Sequence, residues 1–471
     1  MSFEEHRVPI RAHLPLAVKI LFICGMALLL RLAVTYYDIM ADSGEYLFQD
    51  AGTFYRTAVN LANGHGYVLE PGQEPNFFRE PGTIYFYAAT VGLYELVTGR
   101  AVGEPSYDQR NWPRDHDNRN VIWLIRLMQA VLQAIALALF YLLLRHRFKD
   151  VFAFAVAALV ALYPPLALYS QQLMRENLLV GVLMLLAYLL SSIIQKPSYW
   201  KMAVIGILWG IAALTLQVYL ALGVVLFTVV ILKTRQVVQA ARRCAVVGAL
   251  FVLTVLPWLH HVYTFYPDIR IASSMGCALT LDWTRLNASL RSARSHSQDR
   301  SGDARLPPDA MLATDVYAYT SRECFENAFN GSFRRMARQL DMKYGRPSVK
   351  ERAGEYLGML AWFLVLPGYQ FDDWSGARNV VAHDHGNMVL TMFLSFVLSA
   401  AWIIGLWACC RRAMVVLPIY LFHLAFFWVL MSESRRALPI VPFFVLLGIV
   451  GLLRIVQLGF PACRFSIWRE G

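Results

Sequence analysis

The chain has 471 residues, 57% hydrophobic and 16% charged, with a mean hydropathy of +0.45; soluble globular proteins run nearer a quarter charged. This composition excludes a water-soluble enzyme, and seven cysteines spread over 471 residues exclude a disulfide framework. The net charge of +11 reads as a topology signal and not as a nucleic-acid footprint, because the basic residues cluster in short loops between apolar blocks.

The first apolar run, Leu14 to Tyr36, follows Arg7 and Arg11, contains Lys19 and Arg31, and is followed by no small-x-small cleavage site. It is expected as an uncleaved first span with its N-terminus inside. Apolar blocks follow at 81–98, 121–144, 151–169, 178–194, 202–232, 244–259, 355–369, 387–408, 413–430 and 437–453. Arg145–Lys149, Lys196–Lys201, Lys233–Arg243 and Arg411-Arg412 connect neighbouring blocks, and short basic loops of this kind stay cytoplasmic. As one helix, block 202–232 would measure about 46 Å against a hydrocarbon core of about 30 Å, so it is expected to turn near Thr215 and Gln217.

Parity between the first span and the Arg145–Lys149 loop leaves no crossing for 81–98. That block begins at Pro81, stops at Gly99 and carries Tyr85, Phe86, Tyr87 and Tyr94, which suits an interfacial helix. The same parity makes 355–369 interfacial. The expected architecture is an all-α polytopic membrane protein of about ten transmembrane helices, both termini inside. It divides into an N-terminal module, 1–259, with a first external loop at about 38–120, a large external region at 260–386, and a C-terminal transmembrane module at 387–471. Only Cys277 and Cys324 fall in an external region, where pairing and free thiols are equally open.

No Walker loop, GxGxxG, HExxH or GxSxG occurs, so nucleotide-driven transport, Rossmann cofactors, zincin and hydrolase-elbow chemistry lack support. The first external region opens instead with Asp38, Asp42, Glu45 and Asp50. Asp50 heads a predicted helix whose apolar stripe is Phe54, Ala58, Leu61 and Ala62 and whose end is Gly64. An acid there is either a helix cap or, at the edge of a low-dielectric slab, a general base toward a hydroxyl. His383-Asp384-His385 lacks the ligand spacing of a metal site. The basic run from Arg334 to Arg352 either borders an anionic acceptor or lipid head groups or is a solvated helix face.

Asp50-x3-Phe54-x3-Ala58-x-Asn60-Leu61-x2-Gly64-His65-Gly66-Tyr67, followed by Arg79-Glu80-Pro81-Gly82, resembles the first external loop of the GT-C polyprenyl-phosphate-sugar glycosyltransferases, the protein mannosyltransferase and aminoarabinose transferase superfamily. Further segments are similar in order: Arg126-Leu-Met-Gln-Ala, Leu162-Tyr163-Pro164-Pro165 with Tyr169-Ser170, Arg175-Glu176-Asn177, Pro257-Trp258, and Glu433-Ser-Arg435-Arg436-Ala-Leu-Pro439-Ile-Val-Pro442. The resemblance covers about residues 30–450. It implies a GT-C-type helix bundle with periplasmic juxtamembrane helices. It also implies an inverting glycosyltransferase that moves a sugar from a polyprenyl phosphate, such as undecaprenyl phosphate, to an acceptor hydroxyl on a glycan, lipid or protein.

On this resemblance Asp50 falls at the catalytic carboxylate, and Arg79, Arg435 and Arg436 are candidates for binding the donor phosphate, with Arg126 behind them. The bland reading of Arg126 is an interfacial snorkeller. Glu176, Tyr55 and His260 are the auxiliary or acceptor-side candidates, and Glu176 could also form a mere surface pair with Arg175. No cofactor is required, although a divalent metal held by Asp50 and Glu176 is compatible. His260-His261 stands where many relatives have Arg-Asn, and Arg435-Arg436 where they have Arg-Tyr, departures that fit either a different sugar or acceptor or an inactive member. The compartment implied is a bacterial inner membrane with the site facing the periplasm. The reading from another class is a multi-span lipid or glycolipid transporter or flippase; few candidate coupling charges and no broken-helix pair in matching halves support it.

Overall fold

The computed structural model describes residues 14–40, 50–73, 75, 77, 79–105, 115–234, 236–265, 401–409, 418–421, 441–459 and 467–468. These form the helices α1 (Leu16–Met40), α2 (Asp50–Ala62), α3 (Pro81–Thr98), α4 (His116–Arg145), α5 (Asp150–Ala161), α6 (Pro164–Tyr169), α7 (Arg175–Gln195), α8 (Tyr199–Thr215), α9 (Leu222–Lys233), α10 (Val237–Phe265) and α11 (Val441–Gly459). Residues 401–409 and 418–421 are also helical. Among the described residues, α1, α4, α7, α10 and α11 are long and apolar enough to cross a membrane. The chain is an all-α, multi-pass membrane protein. The expected spans at 387–408 and 413–430 lie mostly, and the block at 355–369 wholly, outside the described residues.

Side-chain pairs define the two ends of the bundle. At one end the Asp150 carboxylate meets Lys19 of α1, accepts from Tyr141 at 2.8 Å and pairs with Arg145 at 2.6 Å. The basic loop 145–149 lies here, and Ile467-Trp468 docks on it: the Lys149 amide donates to the Ile467 carbonyl at 2.9 Å and Phe148 stacks on Trp468 at 4.5 Å. The start of α1 and a segment near the C-terminus therefore share the end that carries the basic loop. At the opposite end Thr35 bonds Gln171, Glu80 pairs with Arg175, and Tyr67 packs on Trp258.

Block 202–232 is two helices, as its length demands. α8 stops at Thr215, Leu216 is extended, and a 3-10 turn over Gln217–Ala221 leads into α9. α8 and α10 approach through Gly206 and Gly210, where an added Cβ would meet the Val247 carbonyl and the Thr254 side chain. Small residues four apart are the usual means of close helix contact in a membrane.

Block 151–169 is broken at Leu162-Tyr163-Pro164-Pro165. α5 ends at Ala161 and α6 begins at Pro164, because Pro164-Pro165 supply no amide donors to continue α5. A helix end inside a bilayer leaves carbonyls without water to satisfy them. The buried Arg31 of α1 answers this: its guanidinium donates to the Gln133 side chain at 2.8 Å, to the Ala27 carbonyl at 2.9 Å and toward the Ala161 carbonyl at 3.5 Å. The register is self-consistent, since Arg31 lies about 18 Å above Lys19 on α1 and Ala161 about 16 Å above Asp150 on α5 at 1.5 Å per residue.

Candidate active site

The external motif around Asn60 is a folded loop. Asn60 is buried and donates to the Val68 carbonyl at 3.2 Å and the Leu69 carbonyl at 3.0 Å, while the His65 amide returns to the Asn60 carbonyl at 2.9 Å. Gly64 (φ 79°) and Gly66 (φ 89°) take the left-handed conformation that this reversal needs. Tyr67 then donates its hydroxyl to the Arg79 carbonyl at 3.1 Å. Burial, together with Glu80 and Tyr85, holds the Tyr67 phenol well above its usual range against the opposing Arg79, so it remains a donor. Phe77, Tyr67 and Trp258 form an aromatic core that continues outward through Tyr85, His261 and Phe265. It fastens the loop to α10.

Helix α2 starts at Asp50, the expected position, and buries Phe54, Tyr55, Ala58 and Val59. The Asp50 side chain lies outside the described part of the structure. The Tyr55 hydroxyl donates to the Asn118 side chain at 2.5 Å, so Tyr55 seats α2 on the start of α4. The Arg79 guanidinium lies over the Phe54 ring at 5.6 Å, against the same helix that Asp50 heads.

The next residue, Glu80, precedes Pro81 in extended conformation and makes no side-chain cap to α3. Its carboxylate instead accepts from Arg175 at 2.6 Å, with 2% and 5% of the two side chains exposed. Arg175 also faces Glu176 at 3.8 Å. Arg175 and Glu176 do not form a surface pair: both are buried, because the α6–α7 junction is sunk among α1, α3 and α4. Gln133 donates to Asn177 at 2.8 Å, and Asn177 donates to the Tyr169 and Gln172 carbonyls at 3.0 and 2.7 Å. With its amide oriented to satisfy both ends, Gln129 accepts from Tyr87 at 2.8 Å and donates to the Ser170 carbonyl at 3.0 Å.

Arg126 departs from the snorkelling expectation. It is 1% exposed, with its guanidinium 5.3 Å from the Trp123 ring, on the wall of an apolar cavity of about 610 Å³ between α1, α3 and α4. His260 is exposed near the end of α10 beside His261. Arg435, Arg436, Cys277, Cys324, His383 and His385 lie outside the described residues. Among the described residues no three His, Cys, Asp or Glu side chains converge on one point.

The structure thus places Arg79 against the helix that Asp50 heads and links its neighbour Glu80, through Arg175, to the junction that holds Glu176. From the sequence, Glu80 had no role and Arg175 only a surface pairing with Glu176; the one local signal is their opposite charge at the starts of α3 and α7, which does not by itself pair them.

The close approach of α3 to α8 gives a test of this packing. A Cβ on Gly82 would meet the Thr215 hydroxyl and, at 2.9 Å, the Thr215 backbone nitrogen. Gly82→Ala is expected to destabilise by about 1–3 kcal/mol, the usual range for overpacking. Adding Thr215→Ala is expected to recover only part of this in thermal melts, because the backbone contact remains.

The family model described as dolichyl-phosphate-mannose-protein mannosyltransferase matches residues 118–261, from α4 through α10. No curated protein matches the chain. Among solved structures, 97% of the chain aligns with 52% of the archaeal oligosaccharyltransferase AglB from Archaeoglobus fulgidus, in complex with an inhibitory peptide and a dolichol-phosphate, at 12% identity and TM-score 0.48. It spans about half the length of that protein. Similarly, 95% of the chain aligns with 81% of ArnT from Cupriavidus metallidurans bound to undecaprenyl phosphate, at 15% identity and TM-score 0.38.

Proposed function

We propose that the chain is a GT-C-type inverting glycosyltransferase that moves a sugar from a polyprenyl phosphate, undecaprenyl phosphate in a bacterial inner membrane, to an acceptor hydroxyl at the periplasmic face. The observation that carries this reading is the buried Glu80–Arg175 contact at 2.6 Å, which gathers the Arg79 segment and the Glu176 junction from 95 residues apart in the chain. It does so at the end of the bundle opposite the basic loops. The family-model match over 118–261, which includes Arg126, Arg175 and Glu176, supports the reaction class.

In this reading Asp50 accepts the proton of the acceptor hydroxyl as its oxygen attacks the anomeric carbon. The bond from that carbon to the phosphate oxygen breaks, and polyprenyl phosphate leaves with the electron pair. Arg79, Arg435 and Arg436 offset the charge that grows on the leaving phosphate. Glu176 and His260 are assigned to the acceptor side, and Tyr55 acts on it only through the placement of α2. A divalent ion at Asp50 and Glu176 would add to the charge compensation.

Purified protein incubated with a panel of polyprenyl-phosphate sugars is expected to release free polyprenyl phosphate from one of them, scored by mass spectrometry. No release from any donor, with donor binding also absent, would overturn the enzyme reading in favour of the transporter. Arg435→Ala is expected to weaken donor binding about tenfold or more, as loss of a charged hydrogen bond does; unchanged affinity would remove Arg435 from the phosphate site.

A further inference from the structure

We propose that Arg175 is a positioning residue: through Glu80 it holds Arg79 at the place where the donor phosphate is bound. The inference rests on the functional reading above and deepens it. Arg175 is remote in sequence from the loop it acts on, and it opens α7, so its backbone belongs to the bundle and not to the loop.

Three observations carry the argument. Glutamate is not among the side chains that ordinarily cap a helix start. Glu80 makes no cap bond to α3 and turns its side chain to Arg175 in a buried contact of 2.6 Å. The Glu80 backbone is also stiff, since Pro81 follows it and restricts it to the extended region it occupies (φ −71°, ψ 142°). Fixing the Glu80 side chain therefore fixes the peptide that joins it to Arg79. On the other side of Arg79, its carbonyl is held by Tyr67 at 3.1 Å. The backbone on both sides of Arg79 is thus anchored, while its guanidinium rests over Phe54 of the helix headed by Asp50. Of the two anchors, the Tyr67 bond lies within the loop, whereas Arg175 ties Arg79 to the spanning helices through a charge. The fork of a guanidinium fixes direction as well as charge, so lysine is not an equivalent replacement.

The test is a double-mutant cycle on binding, read by calorimetric titration of undecaprenyl phosphate into detergent-solubilised protein, with thermal melts alongside. Arg79→Ala is expected to raise Kd about tenfold or more, and Arg175→Lys to raise it several-fold without a comparable fall in melting temperature. Arg79→Ala combined with Arg175→Lys is expected to bind no more weakly than Arg79→Ala alone, because both act through one group. Glu80→Ala, which removes the acceptor and leaves Arg175 beside Glu176, provides a second route around the same cycle if Arg175→Lys does not fold. Additive losses in a wild type that binds would overturn the positioning role and leave the functional reading standing. A wild type that does not bind the lipid phosphate would overturn that reading and the inference with it.

Discussion

Replacing Asp50 by Asn is expected to lower turnover about 10³–10⁴-fold while leaving the fold and donor affinity almost unchanged. The magnitude is the upper range for loss of a general base. The substitution separates the two physical roles open to an acid at this position. As a helix cap, Asn serves about as well as Asp, and the loss of a negative charge at the start of α2 costs only about 0.3–1 kcal/mol through the helix dipole. A residue that merely capped α2 would therefore give a variant with near-wild-type release of polyprenyl phosphate. A residue that takes the acceptor's proton gives one that melts normally, binds donor and releases nothing. Rates and melting curves on the same preparation, with lipid-phosphate titration beside them, check all three quantities. Near-wild-type turnover would remove Asp50 from the mechanism and leave the proposal without its base.

What was legible in the sequence depended on how far the deciding partner lies along the chain. The limits of α3 follow from Pro81 at its start and Gly99 beyond its end, where the Gly99 amide returns to the Glu95 carbonyl at 2.8 Å in left-handed conformation; both signals are local. The turn after Thr215 follows from length alone, and α2 from its apolar stripe. The end of α5 before Pro164 and Pro165 follows from local signals as well, whereas the short helix α6 that they open was not legible. What faces that helix end lies far along the chain: Arg31, 130 residues before Ala161, points its guanidinium toward the Ala161 carbonyl. Arg126 was misjudged for a related reason. Hydropathy places an Arg near a helix start at the interface, but α1 and α3 pack over that side of α4 and enclose it. The site behaves in the same way: its motifs could be quoted from the sequence, whereas the contact between Glu80 and Arg175 that joins two of them could not.

Arg175→Met is expected to be the most destabilising single substitution in the site, by about 3–5 kcal/mol, the range for breaking a buried ion pair from one side. The reason lies in the local charge count. Glu80 and Glu176 are 2% and 3% exposed, and Arg175 is the cation that each meets, at 2.6 and 3.8 Å. Removing it takes from two buried carboxylates a cation that both face in a low-dielectric interior. Neutralising either acid has the opposite consequence. Glu80→Gln keeps an acceptor for the guanidinium and leaves Arg175 with Glu176, and Glu176→Gln leaves it with Glu80; each is expected to cost no more than about 1–2 kcal/mol, the net worth of one hydrogen bond. A variant carrying Arg175→Met with both Gln substitutions buries no charge at this point and is expected to regain most of the lost stability in denaturation experiments. It is not expected to regain donor affinity, because Arg79 has lost its anchor to α7. Recovery of stability without recovery of binding would separate what the ion cluster does for the fold from what it does for the site; a triple variant as unstable as Arg175→Met alone would show that packing of the Arg175 side chain, and not its charge, holds the α3–α7 contact.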